Sequence, residues 1–447
     1  MRVILTANAS YLPPRGGSTR SNLAWLRVLA RRGHECFVVA PALRADSDDR
    51  ARAIESELAE QGIRYERLPK ESGDGFEALA WEQLVIYAVS NPARVRDVLR
   101  ERILALRPDW VLVSSEDFGQ VLLREAHAAA AGRVIYLAHT PQMFPFGPAS
   151  LHPNPVGARL VAQAAAIVAI GEFTARYIET HLGRRPAVIH PPVYGPGPFH
   201  RRDPRAPGLV TWINACVVKG LPIFVGLARR FPHIEFGALP GWGTTRRDVE
   251  ELRRLPNVRV LPRVPRIQDV LEKTRILLVP SLWPEGFGLV VTEAMLMGVP
   301  VLASDQGGLV EAKLGTRYVL PVRPIERYLA EFDDNGLPLP VVPEQDLRPW
   351  EQALEELWTR VEVYERESAE AFDRAIRFVA GVREEALEEL LLELRRSTSV
   401  GPVAIAAHVP HRPDLAKRLS RLPAQQREAL LERLRERAGL GRSPEHE

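Results

Sequence analysis

Cysteine is almost missing from this 447-residue chain, which has two, Cys36 and Cys216. Both sit in apolar, strand-like runs (CFVVA and INACVV), so neither a disulfide framework nor a cysteine-based zinc site is available. An excess of either charge is missing too: 59 Lys and Arg face 56 Asp and Glu, a net of +3. Nucleic-acid binding rests on a basic face that neutralises several phosphates, so no nucleic-acid partner is expected. The longest apolar run, LVAQAAAIVAI at 160–170, falls well short of the roughly 20 residues that span a bilayer. MRVILTANAS turns polar too soon for a signal peptide, and a cytoplasmic, reducing compartment is expected. What the chain does have is an ordinary globular balance, 46% hydrophobic and 26% charged, with 38 prolines that predict rigid loops and sharply ended elements. At about 150 residues per domain, two to three domains fit the length.

Strand-like and helix-like segments alternate along most of the sequence. MRVILTA is followed by the loop NASYLPPRGGS and a helix, SNLAWLRVLARRG, with Ser21 as its cap and Gly33 as its stop. ECFVVAP, PDWVLVSS, RVIYLAH and AAIVAIG are continuous apolar runs, the pattern of parallel strands buried on both faces. The first half therefore reads as a doubly wound α/β domain. Residues 190–208 are dense in Pro, Gly and Arg and read as an interdomain linker. A second α/β series follows through GLVTWINACV, IEFGAL, NVRVLP, ILLVPS and VPVLAS. Beyond Val322 the pattern is helical after a Pro-rich insert, NGLPLPVVPEQ, with Trp350 and Trp358 spaced for core packing. The expected domains are 1–192, a linker at 193–207, 208–360, a helix at 361–396 returning to the first domain, and a helical tail at 397–447. Two such domains leave one natural ligand site, the cleft between the C-terminal ends of their strands.

PSLWPEGFGLVVTEAMLMGVPVLAS, 280–304, holds the most chemistry. The strand stops at Pro284, Glu285 and EGFG, and a helix begins near Leu289. Its first N–H groups suit a phosphate, and Gly286 and Gly288 allow close approach to the backbone. Glu293 lies mid-helix among apolar residues and needs a hydrogen-bonding partner, which a sugar diol supplies. The plainer alternative is that Glu285 caps the helix and Glu293 pairs with a nearby cation. Lys219, closing NACVVKG, is either a solvated charge or a phosphate clamp. Gly16 and Gly17 lie between the first strand and first helix, as a plain turn or as a backbone site for phosphate or acceptor. His139 ends RVIYLAH at a strand's C-terminal edge, and Phe144 and Phe146 follow it; a structural histidine is the alternative. Asp46-Ser47-Asp48 spells a D-x-D metal signature but sits among arginines and reads as a solvated loop.

Glu285 and Glu293 are separated by seven residues, and EGFGLVVTEAM resembles the E-x7-E motif of retaining GT-B glycosyltransferases of the family 4 type. The resemblance extends to YLPPRGGSTRSNLAWLRVLARRGHECFVVA, AAIVAIGEFTARYI, VIHPPV and GVPVLASDQGGLVEA, in the family's order over about residues 1–380. It implies two Rossmann-like domains facing a cleft, and transfer of a sugar from a nucleotide-diphosphate sugar to an acceptor hydroxyl with retention at the anomeric carbon. It implies that Glu293 takes the ribose hydroxyls and Glu285 the donor-sugar hydroxyls. The backbone of Phe287, Gly288 and Leu289 holds sugar and diphosphate, Lys219 neutralises the diphosphate, and His139 contacts the donor sugar. No metal ion and no cofactor are implied beyond the donor, for which uridine is the commonest base in the family. One departure stands out. The family usually places an Arg five residues before the Lys, and here that position is Asn214, which can still donate a hydrogen bond.

Two other readings come from different classes. A non-catalytic nucleotide-sugar-binding subunit, recruited to a partner through its tail, is the alternative that Asn214 raises. An enzyme with a lipid acceptor at the membrane surface is another, resting on RVRDVLRERILALR at 94–107, which a solvated helix explains as well. The tail sequence LSRLPAQQREALLERLRER resembles short helical segments at the ends of nonribosomal peptide and polyketide synthase proteins, a contact within a biosynthetic complex; a generic surface helix or dimer contact is the alternative.

Overall fold

In the computed structural model, described here for residues 1–43 and 48–397, the apolar runs become two separate parallel sheets. Asp46 and Ser47 of the D-x-D sequence, and the tail beyond Ser397, lie outside the described residues. The first sheet holds β1 (Arg2–Thr6), β2 (Glu35–Pro41), β3 (Tyr65–Arg67), β4 (Phe76–Trp81), β5 (Leu84–Val89), β6 (Trp110–Ser114), β7 (Val134–Ala138), β8 (Ala166–Ala169) and β9 (Ala187–Val188). Their spatial order is β3-β4-β5-β2-β1-β6-β7-β8-β9. β1 pairs in parallel with β2 on one side and β6 on the other. The direction of winding therefore reverses between β1 and β6, which opens a crevice at their C-terminal ends. Residues 65–89, to which the sequence pattern assigns no element, extend the sheet by an antiparallel edge. Glu82, at φ 55°, makes the tight turn between β4 and β5.

The second sheet contains β10 (Leu209–Ile213), β11 (Phe236–Leu239), β12 (Val258–Val260), β13 (Thr274–Val279), β14 (Val301–Ser304) and β15 (Val319–Leu320). In the order β12-β11-β10-β13-β14-β15, the reversal falls between β10 and β13, both parallel to their neighbours. Cys216 differs from the expectation: β10 ends at Ile213, and Cys216 is buried in the turn beyond it. The insert differs as well. Its first residues form the turn and second strand of a hairpin, β17 (Pro338–Pro340) pairing with β16 (Tyr328–Phe332) just before it, turned at Gly336 with φ 78°, and Pro is tolerated there because neither strand has a second neighbour.

The first helix, Gly17–Arg31, starts four residues before the expected cap. Ser21 is inside it, its hydroxyl donating to the Gly17 carbonyl at 2.9 Å, and Gly16 takes the cap position at φ 92°. At the other end of the chain, Val361–Ala380 carries Val363 and Tyr364 into the second domain's core, and its Ala371 and Ala375 face the helix Leu289–Met295 instead. The helix Ala386–Ser397 lies on the first domain. There the Trp110 indole donates to the Leu391 carbonyl at 3.2 Å, and Glu388 accepts from His34 at 2.7 Å and pairs with Arg32. One continuous core joins Leu23, Leu26 and Leu137 to Leu289, Val291 and Leu309, and on to Leu387 and Leu391. No helix among the described residues is long and apolar enough to cross a membrane.

Candidate active site

The loops after β10 and β13, at the second sheet's reversal, bring Lys219 and Glu285 together as an ion pair. The loop after β10 turns through Val217–Lys219 and ends at Gly220 with φ 98°. The Lys219 ammonium stands 5.0 Å from the Trp283 ring centroid and 5.9 Å from that of Trp242, and the two indoles stack at 5.8 Å. Aromatic faces attract a cation electrostatically, so the walls hold the ammonium beside Glu285. Glu285 Oε1 also accepts from the Ser281 hydroxyl at 2.6 Å and the Trp283 indole at 3.3 Å. Glu285 does not cap the helix: the cap position is Gly288, with φ 103° and no side-chain bond.

The Glu285 backbone is fixed by a second glycine pair. Gly308 N–H donates to the Glu285 carbonyl at 2.8 Å, and a Cβ on Gly307 would lie 2.4 Å from that same oxygen. Only a residue without a side chain lets the GG of DQGGLVEA lie this close to EGFG. Phe287 is buried, stacked on Phe378 at 5.6 Å and tilted against His190 at 5.1 Å.

Glu293, 5% exposed, meets a cation from the other domain. It forms an ion pair with Arg20, from the first turn of the helix Gly17–Arg31, and its charge is the main influence holding the Arg20 guanidinium above its ordinary pKa. The cation-pairing alternative is thus the arrangement present. Gly17 is close by, where a Cβ would sit 3.5 Å from a Leu289 methyl, whereas Gly16 is surrounded by open space.

His139 occupies the seam between the domains. A Cβ on Gly286 would lie 1.7 Å from the His139 carbonyl oxygen, so EGFG abuts the end of β7. Four hydrogen bonds cross the same seam. Gln142 Nε2 donates to the Pro284 carbonyl at 3.1 Å, Thr174 Oγ1 donates to the Gly286 carbonyl at 2.9 Å, and Glu311 accepts from the amides of Glu172 and Phe173 at 2.9 and 3.0 Å. The His139 ring, 2% exposed, has Nε2 2.9 Å from Asn22 Oδ1. Asn22 Nδ2 donates to the Tyr11 hydroxyl at 2.9 Å and to Ser114 Oγ at 3.2 Å, so the amide oxygen is the acceptor and Nε2 carries the proton. Nδ1 is then a buried acceptor without a partner among the described residues. Burial pulls the imidazole down to about 3, keeping it neutral.

Asn214 is bound into the loop beyond β11. It adopts φ 60°, and its Oδ1 accepts from Gly243 N–H at 3.2 Å. Its Oδ1 therefore shapes the turn that carries Trp242. The sequence reading misses Arg20, Ser281, Trp283 and Glu311. Of these, Ser281 and Trp283 lie within the segment 280–304 and Glu311 within DQGGLVEA, whereas nothing local in the sequence marks Arg20 as the partner of a residue 273 positions away.

Comparison with known proteins bears on this geometry. The family model described as Glycosyltransferase Family 4 matches residues 15–194, and that described as Glycosyl transferases group 1 matches residues 232–332. No curated protein matches the chain in sequence. Among solved structures, sucrose-phosphate synthase from Thermosynechococcus elongatus superposes with a TM-score of 0.59 at 14% identity, covering 89% of this chain and 98% of that one. HepE from Anabaena, in complex with UDP-glucose, gives 0.58 at 16% identity over 89% and 100%. The catalytic domain of starch synthase IV from Arabidopsis thaliana, bound to ADP and acarbose, gives 0.58 at 14% over 88% and 99%. At these identities the structures speak to the fold and the family models to the chemistry: the chain is a glycosyltransferase with the GT-B fold.

Proposed function

We propose that the protein is a retaining glycosyltransferase that moves a sugar from a nucleotide-diphosphate sugar to an acceptor hydroxyl without a metal ion. The observation that carries this reading is the convergence of Lys219, Glu285 and the EGFG backbone at the second sheet's reversal point, against His139 of the first domain. As the glycosidic bond loosens, negative charge develops on the leaving diphosphate. Lys219 exchanges Glu285 for that diphosphate and supplies the balancing charge, the task a divalent ion performs in other transferases. The freed Glu285 carboxylate accepts from the donor-sugar hydroxyls, and neutral His139 accepts one more at Nδ1. Glu293 takes the ribose hydroxyls, with Arg20 fixing its orientation. The backbone of Phe287, Gly288 and Leu289 lines the sugar and diphosphate, and Gly16 and Gly17 bring the first domain's loop up to them. Bonds across the seam exclude water that would otherwise consume the donor.

The acceptor attacks from the face that the diphosphate leaves. A uridine donor is the first to test, since HepE is solved with UDP-glucose. The full-length protein is to be incubated with α-linked UDP-, GDP-, ADP- and TDP-sugars in EDTA, and proton NMR is to follow the sugar released to water. Early appearance of the α-anomer from one donor is the expected result. The β-anomer, or release that needs a divalent ion, would contradict the reading.

A further inference from the structure

The first sheet has a reversal point of its own, between β1 and β6, and it holds two carboxylates, Glu116 and Asp117, that have no part in the donor site. The loop after β1 and the turn after β6 meet at Asn8 N–H, which donates to the Glu116 carbonyl at 3.0 Å. Two adjacent carboxylates follow β6, and their surroundings differ. Asp117 is spent on structure: its oxygens accept from the amides of Val121 and Leu123 at 3.1 and 2.8 Å and from Asn8 Nδ2 at 3.2 Å. Glu116 accepts one side-chain bond, from the Ser18 hydroxyl at Oε1. Its Oε2 is buried and has no partner, and the residue makes no ion pair among the described residues. An unpaired buried carboxylate is costly unless something donates to it, and burial accordingly raises the Glu116 pKa.

What surrounds Glu116 is polar and within reach of solvent. Tyr11 feels its charge and is tied through Asn22 to His139, whose Nδ1 is also unpartnered. Gly16 and Gly17, at the mouth beside Ser18, are exposed. The two cations nearest in sequence are committed elsewhere, Arg15 to Glu57 and Arg20 to Glu293. The crevice thus offers a hydrogen-bond acceptor with negative character at the point where a parallel α/β sheet holds its ligand.

We propose that Glu116 is the acceptor anchor of the first domain, its Oε2 taking an N–H or O–H donor, an ammonium or a hydroxyl, from a polyol or amino-sugar acceptor. The inference rests on the glycosyltransferase reading above and gives the acceptor a chemical class: neutral or cationic at the anchored position, never anionic. Ser18 is a positioning residue that holds Oε1 and leaves Oε2 to the ligand.

The test uses the full-length protein and Glu116→Gln, a nearly isosteric change, with glucosamine and glucose as probes. UDP affinity is measured by calorimetry, and probe binding by saturation-transfer NMR with and without UDP. Glu116→Gln is expected to keep wild-type UDP affinity, which also shows that it is folded, and to bind the probes about tenfold more weakly, the scale of one charged hydrogen bond. A wild-type preference for glucosamine that disappears in Glu116→Gln assigns an ammonium to the anchor. Equal weakening of both probes assigns a hydroxyl. Ser18→Ala should weaken the same probe by a smaller factor. Probe binding unchanged in Glu116→Gln, or no binding of either probe to the wild type, overturns the proposal. Failure of UDP to bind the wild type counts against the donor site instead, and the probe result without UDP still decides on Glu116.

Discussion

Two lysine–glutamate pairs in the second half of the chain are made of the same groups and sit in opposite settings. Lys313 and Glu367 are sealed in the interior at 3.7 Å, their side chains 0% and 2% exposed, and Lys313 also donates to the Val301 carbonyl at 2.7 Å. Burial pulls that ammonium down to about 8 and raises the carboxyl. Lys219 and Glu285 remain 14% and 17% exposed at the cleft, beside two tryptophans. The interior pair is closed off from solvent and joins the helix Val361–Ala380 to the second domain. The cleft pair has solvent access, so a ligand can take either member. Charge of equal strength is structural in one place and available for exchange in the other, and accessibility decides which.

Breaking each pair separately should separate the two roles. The largest effect on stability is expected from Lys313→Met, which leaves Glu367 buried without its cation and should cost about 3–5 kcal/mol in urea unfolding. Adding Glu367→Leu should recover most of it; no recovery would deny the pair its joining role. Lys219→Ala should do the reverse. Donor turnover, read as nucleotide release, should fall about 100-fold or more, while stability changes by about 1 kcal/mol at most, as for other partly exposed pairs. Gly286→Ala places a methyl against the His139 carbonyl and should lose about 1–3 kcal/mol from overpacking, together with turnover, because the seam must part. The smallest change is expected at the surface pair Arg383–Glu389, 59% and 52% exposed, where Arg383→Ala should alter stability by less than about 1 kcal/mol.

His139 adds a pH dependence to the comparison. Its folded-state pKa lies near 3, below the ordinary value of 6.5, so the unfolded chain binds the extra proton between those limits. Stability from the neutral ring is therefore complete above pH 6.5 and lost as pH falls toward 3. Urea unfolding across that range should be less acid-sensitive in His139→Asn; an unchanged slope would show that the ring is not buried neutral.

Much of this was legible in the sequence, for identifiable reasons. Short continuous runs such as VIYLA and RILLV, rich in β-branched residues and bounded by turn signals, suit buried parallel strands, and Gly-Pro punctuation placed the turns around Gly286 and Gly298. Glu285, Glu293 and Lys219 stand out because each is a charge next to an apolar run. What the sequence hides is any partner supplied from a distance. Arg20 looks like one more polar residue on a helix until the fold brings it to Glu293. Ser21 looked like a cap because hydroxyl residues favour that position, yet Gly16 at φ 92° starts the helix earlier. The β4–β5 edge escaped notice because FEALAW and LVIYAV alternate imperfectly, burying both faces in part. Glu116 and Asp117 cannot be told apart by type; only their hydrogen bonds show that Asp117 is held by backbone amides while Glu116 Oε2 has no partner among the described residues.

In the proposed reaction Lys219, without a metal ion, holds the diphosphate of the donor. The most direct test is calorimetric titration of the full-length protein and of Lys219→Ala with UDP, GDP, ADP and TDP in the presence of EDTA. Saturable binding of one nucleotide to the wild type is expected, weakened about tenfold or more in Lys219→Ala as one charged contact is lost. Equal affinity in the two proteins, or binding that appears only when a divalent ion is restored, would contradict that role.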